Sequence, residues 1–283
     1  MPGTDPKTKE NIALEVRDLG RMPYAEAFEL QQQLQQQVIA GRDSGGISKG
    51  YLLLVEHDPP VITISRRKGA RKNLIASDEQ LAKAGIEISE TNRGGDITYH
   101  GPGQLVAYPI LDLNVLKLRI HSYMRFLEQV VIDTLAQFGI KGQRDKCATG
   151  VWVTSPPPTP TDSNTSPPPT PTDSNTSPPP TPTDSNPWGS YSAVTKGEQN
   201  NSQKICAMGV RISRWVSMHG LALNVTTNLN HFNLIIPCGL VDRKVTTMQH
   251  QLGNNCPTIK EVKQSLTTNF HQAVESLKTE TKD

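Results

Sequence analysis

Apolar positions along the chain alternate between two periods, and the changes of period mark its elements. Residues 24–40 place Ala27, Leu30, Leu34 and Val38 at three- and four-residue spacing, which predicts an amphipathic helix. The glutamines at 31–33 and 35–37 fall mostly on its opposite, solvent-facing side, and Gly41 stands where a C-cap belongs. The clearest helical pattern runs over 119–138, through Ile120, Tyr123, Met124, Leu127, Val130, Val131 and Leu135, with Gly139 closing it. A last helix fits 258–277, through Ile259, Val262, Leu266, Phe270 and Val274. Ser77-Asp78-Glu79-Gln80 reads as a capping box that opens a short helix ending near Gly85. Apolar and β-branched runs predict strands at 14–19, 51–55, 61–64, 86–88, 105–111, 150–153, 205–212 and 215–225, with Asp58-Pro59-Pro60 a turn. Strands and helices mix with several hairpin-length connections. The fold class is therefore α/β (α+β), a mixed β-sheet flanked by helices.

One block breaks this pattern. Residues 154–186 read TSPPPTPTDSN three times without a change, in a wider polar stretch, 154–203. Proline lacks a donor and almost nothing in the repeat is apolar enough to bury, so polyproline II and coil are expected. The block falls between two predicted strands, at a hairpin tip, where additions are best tolerated. The expectation is one domain over 1–283 carrying a disordered spacer at 154–203.

Composition adds mainly exclusions. A net charge of +2 on 283 residues is too balanced to argue for nucleic acid or an anionic membrane. No apolar run approaches the ~18 residues of a membrane span, and the polar start MPGTDPKTKENIALEV is not a secretory signal. The four cysteines, Cys147, Cys206, Cys238 and Cys256, form no metal-ligand pattern and read as free thiols of a cytoplasmic protein. No metal and no cofactor is expected.

Candidate chemistry concentrates in Arg93 to Gln104, RGGDITYHGPGQ. Its glycines allow close backbone approach to a ligand, Gly101-Pro102-Gly103 demands a sharp turn, and Arg93, Tyr99, His100 and Gln104 can orient a substrate. The stretch RGGDITYHGPGQLVAYPILDL resembles the signature of the lipoate-biosynthesis octanoyltransferases. So do LLLVEHDPPVITISRR, KICAMGVRISRWVSMHGLALNV from Lys204 and FNLIIPCGL from Phe232, in the family's order over most of residues 15–255. The resemblance implies a biotin/lipoyl protein ligase-like catalytic domain. It also implies a reaction that moves an octanoyl chain from octanoyl-acyl carrier protein to a lysine of a lipoyl domain. The expected acceptors are the lipoyl domains of 2-oxoacid dehydrogenase complexes and the glycine cleavage H protein.

Moving an acyl thioester to an amine without losing it to water calls for a second thioester on an activated cysteine. On the residues alone, Cys238 in Ile-Ile-Pro-Cys-Gly-Leu reads equally as that nucleophile and as a structural thiol at a strand end. The resemblance assigns it the acyl-thioester role. The resemblance likewise makes Lys204 the partner that lowers the thiol pKa and acts as acid and base. It implies that Arg93, Gly94, Gly95, Asp96, Ile97, Thr98, Tyr99 and His100, with Ala207, Met208, Gly209, Gly220, Leu221 and Ala222, bind substrate, the small residues leaving room for the chain. His100 and His219 are read as positioning groups rather than bases. Ser65 stands where the family usually has glycine, and VTTM at 245–248 replaces a more usual VTSL.

Three other readings compete. An ATP-dependent lipoate or biotin ligase of the same fold needs no nucleophilic cysteine. A non-catalytic lipoyl-domain or carrier-binding protein needs neither Cys238 nor Lys204. A cysteine hydrolase needs a His/Asn set that does not follow Cys238 convincingly.

Overall fold

The computed structural model describes residues 12–45, 49–146, 148–154, 202–236 and 243–279. The insertion at 155–201, Cys147 and the Cys238 motif at 237–242 lie outside the described residues.

Strand β1 (Ala13–Met22) leads into helix α1 (Tyr24–Asp43), then strands β2 (Lys49–His57) and β3 (Val61–Ser65). After a short 3-10 turn come α2 (Asp78–Ala84), β4 (Glu87–Thr91), β5 (Ile97–His100), β6 (Gln104–Ile110) and α3 (Ile120–Gln137). Strands β7 (Gln143–Arg144), β8 (Val151–Thr154), β9 (Ser202–Ser213) and β10 (Val216–Asn224) follow, then α4 (Met248–Leu252) and α5 (Ile259–Thr279). Two sheets result: seven strands in the order β1-β2-β6-β10-β9-β8-β7, and three in the order β4-β3-β5. β1–β2 and β3–β4 pair in parallel and the other named pairs are antiparallel, so both sheets are mixed.

The large sheet is covered on both faces, which explains the near-continuous apolar run of β2. Period-two alternation sends Tyr51, Leu53 and Val55 toward Ala27, Leu34 and Val38 of α1. Leu52 and Leu54 enter the core built with Leu127, Val131, Leu266 and Phe270 of α3 and α5. The small sheet packs Ile62, Ile64 and Ile97 against Leu81 of α2. α2 begins with the expected capping box, Ser77 with Gln80, and ends at Gly85 in the left-handed region.

Three local expectations change. α1 runs through Gly41 to Asp43, and Ser44 caps it. Gln31 and Gln35 are buried, because their amides bond backbone groups of β10: Gln31 Oε1 accepts from His219 N–H, and Gln35 Nε2 donates to the Val216 carbonyl. Ile120, at the mouth of α3, is 40% exposed. The runs on either side of the glycine-rich turn do not pair with each other, since β5 belongs to the small sheet and β6 to the large one. The turn therefore carries the chain between sheets. Gly103 makes this possible: its φ is +81° and a Cβ there would lie 2.6 Å from Thr226 Oγ1.

β8 and β9 pair antiparallel, from Thr154 opposite Ser202 inward. The hairpin that bears the insertion thus extends to its two edge residues.

Candidate active site

Where β6, β10 and β9 lie side by side, the sheet face toward α1 is lined with small residues. Ala207 pairs with Ala222 and Gly209 with Gly220, while Ala222 also pairs with Val106. Gly209 must be small: a Cβ there would sit 2.5 Å from the Gly94 carbonyl oxygen, where the loop of the small sheet crosses β9. That crossing is held by a hydrogen bond from Gly94 N–H to the Val210 carbonyl at 3.0 Å. Between the two sheets lies a cavity. Arg93, Gly95, Thr98 and His100 line it from the small sheet, and Ala207, Met208, Gly209, Gly220, Leu221 and Ala222 from the large one. Tyr24, Val106, Tyr108 and His219 complete it.

Strand alternation decides which residues of the glycine-rich motif reach this cavity. Thr98 and His100 face it, whereas Ile97 and Tyr99 turn into the small-sheet core. Tyr99 bonds His231 through its hydroxyl at 2.8 Å. Asp96 accepts from Asn73 Nδ2 at 2.8 Å, and Gly94 serves the crossing just described. Gly94, Asp96, Ile97 and Tyr99 thus build the wall, and do not line the cavity. Arg93 spans both tasks, with its guanidinium bonded to Thr63 Oγ1, the Thr63 carbonyl and the Asp96 carbonyl. Ser65, in place of glycine, donates to the Gly95 carbonyl at 2.9 Å and so braces the same loop.

The histidines around the cavity are set as neutral hydrogen-bonding walls. Burial lowers the imidazole of His57 to about 4 and that of His219 to about 3, and it holds His100 well below its ordinary value. The carbonyl of Met22 can only accept, so His57 Nδ1 carries the proton and Nε2 accepts from the Tyr108 hydroxyl at 2.7 Å. The Gln104 amide donates to the Tyr99 carbonyl and Asn224 Oδ1. Its Oε1 therefore accepts from His100 Nδ1–H at 2.7 Å. Tyr24 stacks on His100 and bonds Thr91, and His219 meets Asn92 at 2.8 Å. Tyr24, Val106 and Tyr108 were not foreseen from sequence. Only the alternation in β6, which puts Val106 and Tyr108 on one face, carried a signal for two of them.

Lys204 is the third residue of β9 and is turned by an irregularity in the strand. The register shifts between Val151 opposite Cys206 and Trp152 opposite Lys204, so Ile205 is an extra residue. Ile205 and Cys206, though adjacent, both enter the core under α3 and α5 together with Val151 and Val153. Lys204 consequently stands with Trp152 on the other face, the one shared by Ala207 and Gly209. Its ammonium lies 4.7 Å from the Trp152 ring centroid, and the Arg243 guanidinium lies 4.0 Å from the same centroid. Arg243 is also paired with Asp145.

The described residues flanking the Cys238 motif are tied to both parts of the site. Upstream, Ile235 bridges Leu74 and Ile236 N–H donates to the Asn73 carbonyl at 2.7 Å. Downstream, Lys204 N–H donates to the Lys244 carbonyl and Thr246 N–H to the Lys204 carbonyl, both at 2.9 Å. Of the other thiols, Cys206 is wholly buried and pushed up to about 12 by desolvation, and burial also raises Cys256. Neither is set up as a nucleophile. Among the described residues no group of His, Cys, Asp and Glu could hold a metal ion, and no helix is long and apolar enough to cross a membrane.

A sequence profile described as the lipoyl protein ligase A/B catalytic domain matches residues 23–271. An octanoyltransferase of Acidobacterium capsulatum is 42% identical over 84% of this chain and 80% of its own length. One from Christiangramia forsetii is 37% identical over 93% and 96%. The chain belongs to the lipoyl protein ligase A/B catalytic domain family, and within it to the octanoyltransferases. The fold agrees. A bipartite lipoate protein ligase of Thermoplasma acidophilum superposes with a TM-score of 0.56 at 15% identity, covering 95% of this chain and 92% of that one.

Proposed function

We propose that this enzyme takes octanoyl groups from octanoyl-acyl carrier protein, holds them as a thioester on Cys238, and delivers them to the target lysine of lipoyl domains. The observation that carries this reading is the turned lysine: Lys204 shares a sheet face with the small-residue floor of the cavity and is bonded to the chain on the far side of the Cys238 motif. In the first half-reaction the Cys238 thiolate attacks the thioester carbonyl. The bond to the carrier sulfur breaks, and the leaving thiol takes its proton from the Lys204 ammonium. In the second, the acceptor amine attacks the enzyme thioester, a C–N bond forms, Cys238 leaves as thiolate, and the neutral Lys204 amine accepts the proton. Backbone N–H groups around the glycine turns can stabilise the tetrahedral oxyanion. The cavity, with neutral histidines and small residues, suits an uncharged acyl chain. We place the reaction in the cytoplasm, in keeping with the free thiols Cys206 and Cys256. The acceptors we infer are lipoyl domains of 2-oxoacid dehydrogenase complexes and the glycine cleavage H protein.

The test is intact-mass analysis after mixing with octanoyl-acyl carrier protein. One octanoyl group should add to the wild type and to Cys206→Ala, and none to Cys238→Ala. An adduct on Cys147, Cys206 or Cys256 overturns the assignment, and a requirement for ATP would return the ligase reading.

A further inference from the structure

Beside the cavity, between β3 and α2, the chain reads RRKGARK over residues 66–72. Five of these seven side chains are cationic, and Arg66, Arg67, Lys68, Arg71 and Lys72 are all exposed. Among the described residues, the only ion pair any of them makes is a loose one, Arg67 to Asp96 at 3.9 Å. Asp96 is in turn already bonded to Asn73. On a chain with a net charge of +2, this is a strong local excess. Like charges this close repel one another, and among the described residues only the loose Arg67–Asp96 pair offsets that repulsion.

The loop is nevertheless rigidly seated. Ala70 is buried in the small-sheet core, and Ser65 anchors the loop's start to the cavity-lining Gly95. At its other end the Asn73 carbonyl receives the Ile236 N–H, and Ile75 and Ala76 donate to the Leu234 carbonyl. The cationic loop therefore links a cavity wall to the segment that leads into the Cys238 motif. Next to it, Ile75 is 60% exposed, the most exposed of the large hydrophobics among the described residues. An apolar spot within a charged rim is the anatomy of a protein interface.

We propose that residues 66–72 with Ile75 form the docking surface for the acyl-donor carrier protein. The inference rests on the transfer reading above and adds to it the place where the donor binds. The donor rather than the acceptor is favoured by charge. The donor presents its acyl group on a phosphopantetheine arm, whose phosphodiester is an anion that arginine forks recognise. The acceptor instead brings a lysine, which a cationic rim does not attract.

The experiment compares the wild type with a variant carrying Arg66→Gln, Lys68→Gln, Arg71→Gln and Lys72→Gln, all exposed positions, with Ile75→Ser as a second variant. Octanoyl-carrier protein and octanoyl-pantetheine, which lacks both carrier and phosphate, serve as alternative donors. With the carrier donor, KM should rise about tenfold or more in the charge variant, with kcat little changed and its salt dependence flattened. With octanoyl-pantetheine, and for the lipoyl-domain acceptor, KM should stay at the wild-type value. An unchanged carrier KM overturns the proposal. A rise confined to the acceptor overturns it too and gives the surface to the acceptor. If the wild type transfers octanoyl from neither donor, the transfer reading itself fails, an outcome distinct from both.

Discussion

The backbone N–H of His219 donates to Oε1 of Gln31 at 2.9 Å, binding α1 to β10 across 188 residues of sequence. His219 lies in the left-handed region, with φ of 60°, inside a strand. Its N–H is therefore directed away from the usual sheet partner, and a helix side chain satisfies it. Gln31→Leu should leave this buried donor unpaired and cost about 1–3 kcal/mol, read as a lowered urea midpoint. An unchanged midpoint would mean that water replaces the amide or that removing the buried, unbonded Gln31 Nε2 offsets the loss.

Trp152 is expected to hold Lys204 in place. Trp152→Leu removes the ring face beneath the ammonium, an interaction of about 0.5–2 kcal/mol, and should slow single-turnover transfer by about two- to thirtyfold. Trp152→Phe keeps an aromatic face and should recover part of the rate. Equal loss in both variants would point to packing instead.

Lys204→Ala should slow both enzyme acylation and transfer to the acceptor. Lys204→Arg keeps the positive charge but cannot take up the amine proton, because arginine is not deprotonated in proteins. It should still react with iodoacetamide near neutral pH and stall at transfer. Normal transfer by the arginine variant would move the general base elsewhere.

Acid should destabilise the enzyme through its buried histidines. Exposed imidazole titrates at 6.5, whereas burial holds His57 at about 4 and His219 at about 3. Below 6.5 the unfolded chain binds protons that the native state refuses, so stability is full above that value. It falls as pH drops toward about 4 for His57 and about 3 for His219, by at most about 1.4 kcal/mol per pH unit per histidine. Denaturation series from neutral pH to about pH 4.5 should show this slope, and His57→Gln should make it shallower. A parallel slope in that variant would exonerate His57.

Removal of residues 155–186 should leave melting temperature and turnover within a few-fold of wild type, since loop-closure entropy grows only slowly with length. A large loss of turnover at constant melting temperature would show that the repeat takes part in recognition.

The elements were largely legible from periodicity, because helices α3 and α5 each bury one face and carry that face in their sequence. Less legible was anything set by a partner distant in sequence. Gln31 and Gln35 look like solvated residues until β10 is placed beside them. The glycine-rich motif was visible as a site, but its division into Thr98 and His100 inside the cavity and Ile97 and Tyr99 outside depends on which sheet β5 joins. Tyr24, the first residue of α1, reaches His100 only through the tertiary fold. The cavity residues of β9 and β10 were assigned through the family resemblance; small size alone does not mark Met208 or Leu221, and only Gly209 sits where the loop of the small sheet crosses.

The extra residue in β9 gives the chain an uneven tolerance to change in length. Upstream, dozens of residues enter between Thr154 and Ser202, and the strands on either side still pair. Downstream of Lys204 the count is critical. Removing Ile205 would restore a regular ladder and leave Lys204 opposite Trp152 on its present face, whereas one residue inserted beside Ile205, with the bulge kept, would rotate the lysine into the hydrocarbon interior beneath α3 and α5. Variation in this part of the gene can therefore be generous before codon 202 and must be nearly nil just past codon 204, where one inserted triplet would exchange the proposed acid–base group for a buried charge.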